Sequence, residues 1–491
     1  MAQKIAQSDL FQPVTVRKMP EIVFEDLREK ILTGVYRPGQ KLPSERTLMT
    51  IYEKSHPTIR EALRLLESAG YIRVIPGGGA VVLEIEGGQI EAPLRELLLF
   101  RKVPARDIVE FLFASEPAIA GIAAERRTWE DLAAFSALTE RQNELRRDSE
   151  TAENPEERIA LLDAFYRLVK DYHVKIATAS HNPLTTIVWS SLFSMLDMSF
   201  DRSVEEKELQ ISMRRIAEAH DAILGRIRAQ DGKGAAEAVS ACFDTLIEEG
   251  GYLHLILPEA EYGPDPMKNA KASAAIYEQI RSLILQGKLE PGERLPAERQ
   301  LVEAFGRSRA SVREALKMLE MKNYVTITRG SGTVVNDIST SEIERALDNM
   351  LQYRLISKKD IQEVRGISEA IAAEWAAARR TPEDLEAIRE TITRSNRYIH
   401  DRSKLIDCGI DFTNAMTKAA HNEAVHVISR ATSTFLHDRY RDRAEEDALE
   451  EHLMIIRQHT KIMHEIEKGS VSGAREATLK HLEGVEDIIL E

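Results

Sequence analysis

The feature that most narrows what this chain can fold into is that it contains itself twice. Residues 38–67 read PGQKLPSERTLMTIYEKSHPTIREALRLLE, and residues 291–320 read PGERLPAERQLVEAFGRSRASVREALKMLE, aligned without a gap at an offset of 253. The same offset carries Gly34 onto Gly287, Tyr71 onto Tyr324, Gly77 onto Gly330 and Gly79 onto Gly332, and it still holds at Asp107/Asp360, Glu110/Glu363 and Glu116/Glu369. Later it falls to 240 at Asn182/Asn422, so the first copy holds extra residues between Glu125 and Leu168. A period this long means duplicated domains, since solenoids repeat roughly every 20–50 residues. Pro258 to Pro266 holds three prolines in nine residues and reads as the linker between copies.

Each copy begins with the same string of elements. In the second, Ile276, Ile280, Leu283 and Ile284 recur at helical spacing and Gly287 follows as a stop. Pro291-Gly292 is a turn. The run from Pro296 puts Leu301, Val302 and Phe305 on one face of a short second helix, which Gly306 breaks. Ser308 suits the N-cap of a third helix running to Asn323, with Val312, Leu316 and Leu319 facing inward. Tyr324–Thr328, a glycine turn and Thr333–Val335 make a hairpin. The sum is a winged helix-turn-helix.

The net charge of −14 at first argues against nucleic acid. Counted locally, residues 22–82 hold nine Lys/Arg against seven Asp/Glu, and residues 275–335 hold ten against seven. The acidity therefore lies outside two mildly basic islands, and phosphate contact needs only local positive charge. A third helix of this kind enters the major groove by its N-terminal end, where Arg307, Ser308, Arg309, Ser311 and Arg313 lie. Arginine offers guanine two parallel donors, while helix-start amides and hydroxyls suit phosphate oxygens. Arg299 on the second helix reaches the backbone or an outer base. The first copy supplies Lys54, Ser55, His56, Thr58 and Arg60, with Arg46 on the preceding helix. Gly77 and Gly79, like Gly330 and Gly332, let the hairpin tip approach the sugar–phosphate surface. The rival reading, that these cations merely solvate a helix face, weakens when a complete module occurs twice.

These residues resemble the GntR superfamily of bacterial regulators. Its signature appears here as Tyr277, Ile280, Ile284, Gly287, Pro291-Gly292, Leu295-Pro-Ala-Glu-Arg299 and Ser308-Arg-Ala-Ser-Val-Arg-Glu-Ala-Leu316. The first copy matches with Phe24, Leu27, Ile31, Gly34 and Leu42-Pro-Ser-Glu-Arg46, but places His56 where the family usually has arginine. That departure implies two readers preferring different half-sites.

After each hairpin the chain turns to alanine-rich helical periodicity with few strand signals, as in residues 107–124 and 360–377. Such helices build antiparallel bundles whose interior can host a ligand. This is similar to the FadR branch, whose sensing domain is an all-helical bundle (the FCD domain). Many members of that branch hold a metal through an Asp, a His four residues later, and two His spaced 22 apart. The first copy supplies His173 and His220, with Cys242 in the last slot and Val169 in the carboxylate slot. The second supplies His459 and His481, with Gly409 and Thr413 in the first two slots. His173, His220 and Cys242 thus remain as three ligands for zinc or a similar divalent ion. The bland alternative is that these histidines fill polar spots in a cavity. The resemblance instead implies an effector pocket, in which Arg365 stands where family members often use arginine toward an acidic ligand. The first copy has Leu112 there.

The expected architecture is mainly α: two winged helix-turn-helix domains, each followed by an all-α antiparallel bundle. The expected parts are a tail at 1–20, a reader at 21–85, a sensing bundle at 86–257, a linker at 258–274, a second reader at 275–338 and a second bundle at 339–491. The expected activity is sequence-specific binding of double-stranded DNA carrying two related half-sites. The two readers would act as an intramolecular pseudo-dimer, as a repressor relieved by a small acidic effector. An activator, or a DNA-binding scaffold without a ligand, is the alternative, and whole chains could dimerise further. The sequence shows no phosphate loop, nucleophile elbow or carboxylate pair that would make an enzyme. It has no secretory signal and no apolar run of membrane length, and its two cysteines, Cys242 and Cys408, fit a reducing cytoplasm.

Overall fold

The computed structural model describes residues 19–490. Residues 33–34, 38, 69–70, 76–78, 83–87, 201–205, 249–252, 257–271, 286–287, 323, 329–331, 337–340, 353–354, 442–448 and 491 are left out. Several positions singled out above fall outside the described residues: the N-terminal tail to residue 18, Gly34, Gly77, Gly287, Asn323, Gly330 and the proline-rich linker. By internal packing the chain divides into Met1–Gln89 and Ile90–Glu491.

The first unit holds α1 (Met19–Leu32), α2 (Glu45–Tyr52), α3 (His56–Ser68) and the strands β1 (Ile72–Ile75) and β2 (Gly79–Val82). Its core joins Val23, Leu27 and Ile31 of α1 to Leu48 of α2, Ile59, Leu63 and Leu66 of α3 and Val82 of β2. The strands pair antiparallel from Ile72↔Val82 to Ile75↔Gly79. Gly79 adopts φ +83°, a left-handed conformation in which a side chain would be strained.

The second unit starts with α4 (Gly88–Phe100), whose first two residues precede the division. A first bundle follows: α5 (Ala105–Arg126), α6 (Trp129–Thr151), α7 (Pro155–Ala179), α8 (Pro183–Ser194), strand β3 (Asp197–Phe200), α9 (Glu206–Arg228), α10 (Gly232–Glu248) and strand β4 (Leu253–Ile256). The second reader is α11 (Ala272–Leu285), α12 (Glu298–Phe305), α13 (Arg309–Met321), β5 (Val325–Thr328) and β6 (Gly332–Val335). Last come α14 (Ser341–Gln352) and the second bundle: α15 (Lys358–Arg379), α16 (Pro382–Arg397), α17 (Arg402–Lys418), α18 (Glu423–Arg441), α19 (Leu449–Lys468) and α20 (Val471–Leu490). No described helix is long and apolar enough to cross a membrane.

Three details differ from the sequence reading. The linker expected to run to 274 ends sooner, because the Ala272-Ser-Ala-Ala run already starts α11 and buries Ser273 and Ile276. The second reader does not stand apart from the bundles. Phe100 of α4 packs on its core, and Glu96 of α4 receives hydrogen bonds from Arg281 of α11 (2.6 Å) and from the Tyr324 hydroxyl. The first bundle also holds a strand pair, β3 with β4, in antiparallel register Asp197↔Ile256 to Phe200↔Leu253. In the second bundle α18 continues as helix to Arg441, through the region matched to β3.

The 13 extra residues of the first copy (253 − 240) lengthen the α6–α7 hairpin. α6 has 23 residues against 16 in α16, and α7 has 25 against 17 in α17. Burial stabilises the extension: Leu145, Leu162, Phe165, Tyr166 and Val169 form a satellite core with Leu209, Met213 and Ile216 of α9.

The two bundles share one apolar core. Phe111 and Leu112 of α5, Leu184 and Val188 of α8, Ile361 and Val364 of α15 and Val425 and Ile428 of α18 belong to it. Polar clamps flank this seam, each made by the same residues of opposite copies. Asn182 caps α8 by accepting from the Thr185 amide (3.0 Å), and its Nδ2 donates to Glu363 (2.9 Å) and to the Asp360 carbonyl (3.0 Å). Asn422 accepts from the Val425 amide (3.0 Å) and donates to Glu110 (3.0 Å) and to the Asp107 carbonyl (3.0 Å). Arg126 forks onto Glu363, and Arg379 onto Glu110. Fully burying one aliphatic side chain contributes about 1.5–3 kcal/mol, against about 0–1 for a half-exposed ion pair. The seam therefore supplies most of the attraction and the clamps set its register.

Burial alone would raise the Glu110 carboxyl, but the Arg379 and Asn422 donors outweigh it and hold the group below its ordinary 4.5. A depressed carboxylate contributes stability that is present above its unfolded pKa and lost as pH falls through the folded one. Thermal melts of the full chain should therefore drop on acidification below about pH 4.5, and Glu110→Gln should show a shallower acid limb than the parent.

Candidate functional site

The leading ends of the two third helices are exposed. In the second reader the Ser308 side chain accepts from the Ser311 amide (3.2 Å), fixing the start of α13, and its hydroxyl lies 2.9 Å from that of Ser311. Arg307, Ser308, Arg309 and Arg313 are exposed, as is Arg299, which pairs with Glu303 (3.3 Å). In the first reader Ser55 and Thr58 place their hydroxyls 2.9 Å apart at the start of α3. Arg46, His56 and Arg60 are exposed and Lys54 is half-buried. Gly332 opens β6 at φ +90°, as Gly79 opens β2. Cations, hydroxyls and helix-start amides thus converge on one end of each helix, which is what phosphate and base-edge contact needs.

Sequence reasoning quoted two further residues in the signature and gave them no role. Glu298 of α12 accepts from Nε of Arg309 (3.0 Å) and Nε of Arg313 (2.9 Å). Glu45 of α2 lies against Nε2 of His56 (2.6 Å) and accepts from Nε of Arg60 (3.1 Å). Their signal was visible: a glutamate before Arg46 and before Arg299, with the same spacing to the third helix in both copies.

Inside the first bundle, His173 of α7, His220 of α9 and Cys242 of α10 come together, one donor atom of each lying within 4.8 Å of the others. The carboxylate slot is filled by buried Val169, as expected. A different carboxylate takes part: Glu116 of α5 meets His173 Nδ1 at 2.5 Å. Gln142 Oε1 meets His220 Nδ1 at 2.9 Å. Both Nδ1 atoms are thereby occupied, and Nε2 of each ring and Oε2 of Glu116 are buried without a partner. Tyr172 stacks on His220 at 3.9 Å, and Phe243 on His173 at 5.2 Å. Burial pushes the Cys242 thiol up to about 12, raises the Glu116 carboxyl and lowers the His220 imidazole well below its usual range. Two imidazoles and a thiol, with Glu116 and Gln142 behind the rings, are side chains of the types that could ligate a zinc-type ion.

The second bundle places Arg365, His459 and His481 in one polar interior, but differently. Arg365 is 1 % exposed, and its Nε donates to Glu369 (2.7 Å), which also receives the Ser433 hydroxyl. Its Nη1 is buried without a partner. His459 stacks on Phe412 at 4.0 Å and lies 4.7 Å, ring to ring, from His481, which meets Gln458 at 2.9 Å. Burial, with His437 and the Arg365 guanidinium nearby, lowers His459 to about 3. Among the described residues no three donors gather here within reach of one ion. Gly409 and Thr413, in the first two slots, bring none. The site is a neutral histidine pair beside one incompletely paired guanidinium, which suits an anion.

Two family models match twice over. The model for bacterial regulatory proteins of the gntR family covers residues 21–82 and 272–335, and that for the FCD domain covers 107–245 and 360–484. An HTH-type transcriptional regulator of Bacillus subtilis, LutR, is 28% identical over 210 residues, which are 42% of this chain and 96% of that protein. The galactonate operon transcriptional repressor of Escherichia coli is 32% identical over 31% of this chain and 68% of its own length. The Uxu operon transcriptional regulator of Escherichia coli is 29% identical over 46% of this chain and 91% of its own. Such relatives span one copy, and this chain carries two.

Removing one member of a buried ion pair leaves an uncompensated charge and costs about 3–5 kcal/mol. Arg365→Leu should lower the chain's stability to urea by that order, read by tryptophan fluorescence. The double variant Arg365→Leu/Glu369→Leu should recover most of the loss.

Proposed function

Because the chain belongs to the gntR family, with an FCD domain after each reader, it is a DNA-binding transcriptional regulator, and we propose that its readers act as an intramolecular pseudo-dimer on one operator. The observation that carries this reading is the exposure of both recognition-helix ends, each with its cations, on one polypeptide. Tethering sets an effective concentration of order mM, so pairing of the readers does not depend on protein concentration. The operator has two related, unequal half-sites, since Arg309 is matched by His56. The sign of control is repression, relieved by a small acidic metabolite. Two observations support the acid: the unpartnered Arg365 Nη1 beside neutral histidines, and a relative named for galactonate, a sugar acid. The ligand acts by its differential affinity for two arrangements of the bundles. An enzyme has less support, because the relatives matched are transcription regulators.

In the first bundle, His173, His220 and Cys242 hold a divalent metal of zinc type, with Glu116 and Gln142 fixing the rings. The cysteine favours a thiophilic ion. Binding must displace the thiol proton, so affinity rises with pH.

Two measurements test these proposals. Duplexes selected by the full chain from a random pool should lose about 10- to 100-fold in affinity for Arg309→Ala, and less for Arg60→Ala, with one chain per duplex by sedimentation. Unchanged affinity in both variants, or two chains per site, overturns the reading. Cobalt(II) added to the purified chain should give a thiolate charge-transfer band that Cys242→Ser abolishes and His481→Ala leaves intact. A parent chain without that band overturns the metal site.

A further inference from the structure

Glu298 of α12 and Glu45 of α2 have no part in the function just proposed, and on simple electrostatics they should not be where they are. A carboxylate beside a phosphate-binding surface weakens attraction for DNA. Both copies nevertheless carry it at the same position, and both use it in the same way. Glu298 takes Nε of Arg309 (3.0 Å) and of Arg313 (2.9 Å); Glu45 takes Nε2 of His56 (2.6 Å) and Nε of Arg60 (3.1 Å). The Arg309 and Arg313 side chains are 70% and 57% exposed, so little packing restrains them. An exposed arginine samples many rotamers, and a bond at Nε removes much of that freedom while leaving both terminal nitrogens as donors.

We infer that Glu298 and Glu45 are positioning residues that exchange non-specific affinity for base discrimination. Glu298 holds Arg309 by its inner nitrogen, so that the terminal fork is presented in one orientation to the two acceptors of a guanine edge. Glu45 does the same for Arg60, but its other partner is a ring. With Nε2 of His56 on the carboxylate, a single ring nitrogen remains, and an imidazole has no parallel fork to offer. One carboxylate in two copies therefore yields a guanine-selective contact in the second reader and a permissive one in the first. This deepens the unequal half-sites proposed above and rests on the assignment of α3 and α13 as the helices that meet DNA.

The test uses the full chain and duplexes selected from a random pool. For each variant two affinities are measured at fixed salt: for the selected duplex, and for an unrelated duplex of equal length. Glu298→Gln should lower the ratio of the two about 10-fold while affinity for the unrelated duplex rises a few-fold. His56→Arg, which keeps Glu45, should make the selected half-sites more alike, and His56→Arg/Glu45→Gln should lose that gain. A Glu298→Gln chain with both affinities unchanged overturns the inference. So does one in which both fall together with the melting temperature, because Glu298 would then be merely structural. An Arg309→Ala chain with parental affinity instead removes the underlying assignment of the helices.

Discussion

The two bundles are fixed on each other by a reciprocal arrangement in which one asparagine serves two helices at once. Asn182 spends its oxygen on the start of α8 and its nitrogen on Glu363 and the Asp360 carbonyl of the other bundle; Asn422 does the same toward Glu110 and Asp107. An amide can do this and a carboxylate cannot, because only the amide carries donor and acceptor on one planar group. The residue before each asparagine adopts a left-handed conformation, His181 at φ 51° and His421 at φ 50°. Each of those histidines is anchored to a capping-box aspartate of the same bundle, Asp131 at the start of α6 or Asp384 at the start of α16. The corner that aims the clamp is therefore tied into the bundle that carries it. Because the asparagine and arginine contacts each occur twice, the interface resembles an isologous one although it lies within one chain.

Within that frame the residue one turn before a shared glutamate helps to set what that glutamate contacts in each bundle interior. Glu116 and Glu369 are equivalent, four residues after Leu112 and Arg365. A buried carboxylate must find a partner. With arginine one turn earlier, Glu369 closes on Arg365 and on Ser433, and the histidines are left to each other. With leucine there, Glu116 reaches across to His173 and orients it. The same acid is an intrahelical counter-ion in one copy and a histidine-orienting group in the other.

Much of this was legible in the sequence. The duplicated signature, the capping serine of α13 and the helical periodicity show the readers and the helices of the bundles, because each is a local pattern. The grouping of His173, His220 and Cys242 was legible only through the resemblance, since the three lie on α7, α9 and α10. Glu116 was seen as a match to Glu369 and given no role, because its contact with His173 spans 57 residues. Nor could periodicity show that α4 carries the second reader through Glu96. That contact joins residues 185 and 228 apart, and a half-buried glutamate on a helix looks like any other from its neighbours. The β3–β4 pair was missed for a similar reason: each strand is only four residues long.

Duplication within one chain also changes which positions can differ. In a symmetric pair of identical subunits, every substitution acts on both sides of the axis at once. Here the two sides are separate stretches of sequence and are free to part. They have parted at the readers, where His56 stands for Arg309 and the left-handed helix end is Glu53 in one copy and Gly306 in the other. They have parted in the interiors, at Leu112 and Arg365, His173 and Thr413. They have not parted at the clamps: Glu110 and Glu363, Arg126 and Arg379, Asn182 and Asn422 are the same residues. The physical reason is that a clamp residue faces the partner set of the other copy. Changing Asn182 alone would leave Glu363 with Arg126 only and take away the side-chain donor to the Asp360 carbonyl. The exposed ends of α3 and α13 and the polar groups of the two bundle interiors lie outside these reciprocal clamps. Differences at the reader ends and in the bundle interiors are thus compatible with matched clamps, and it is the clamps that keep the same residues.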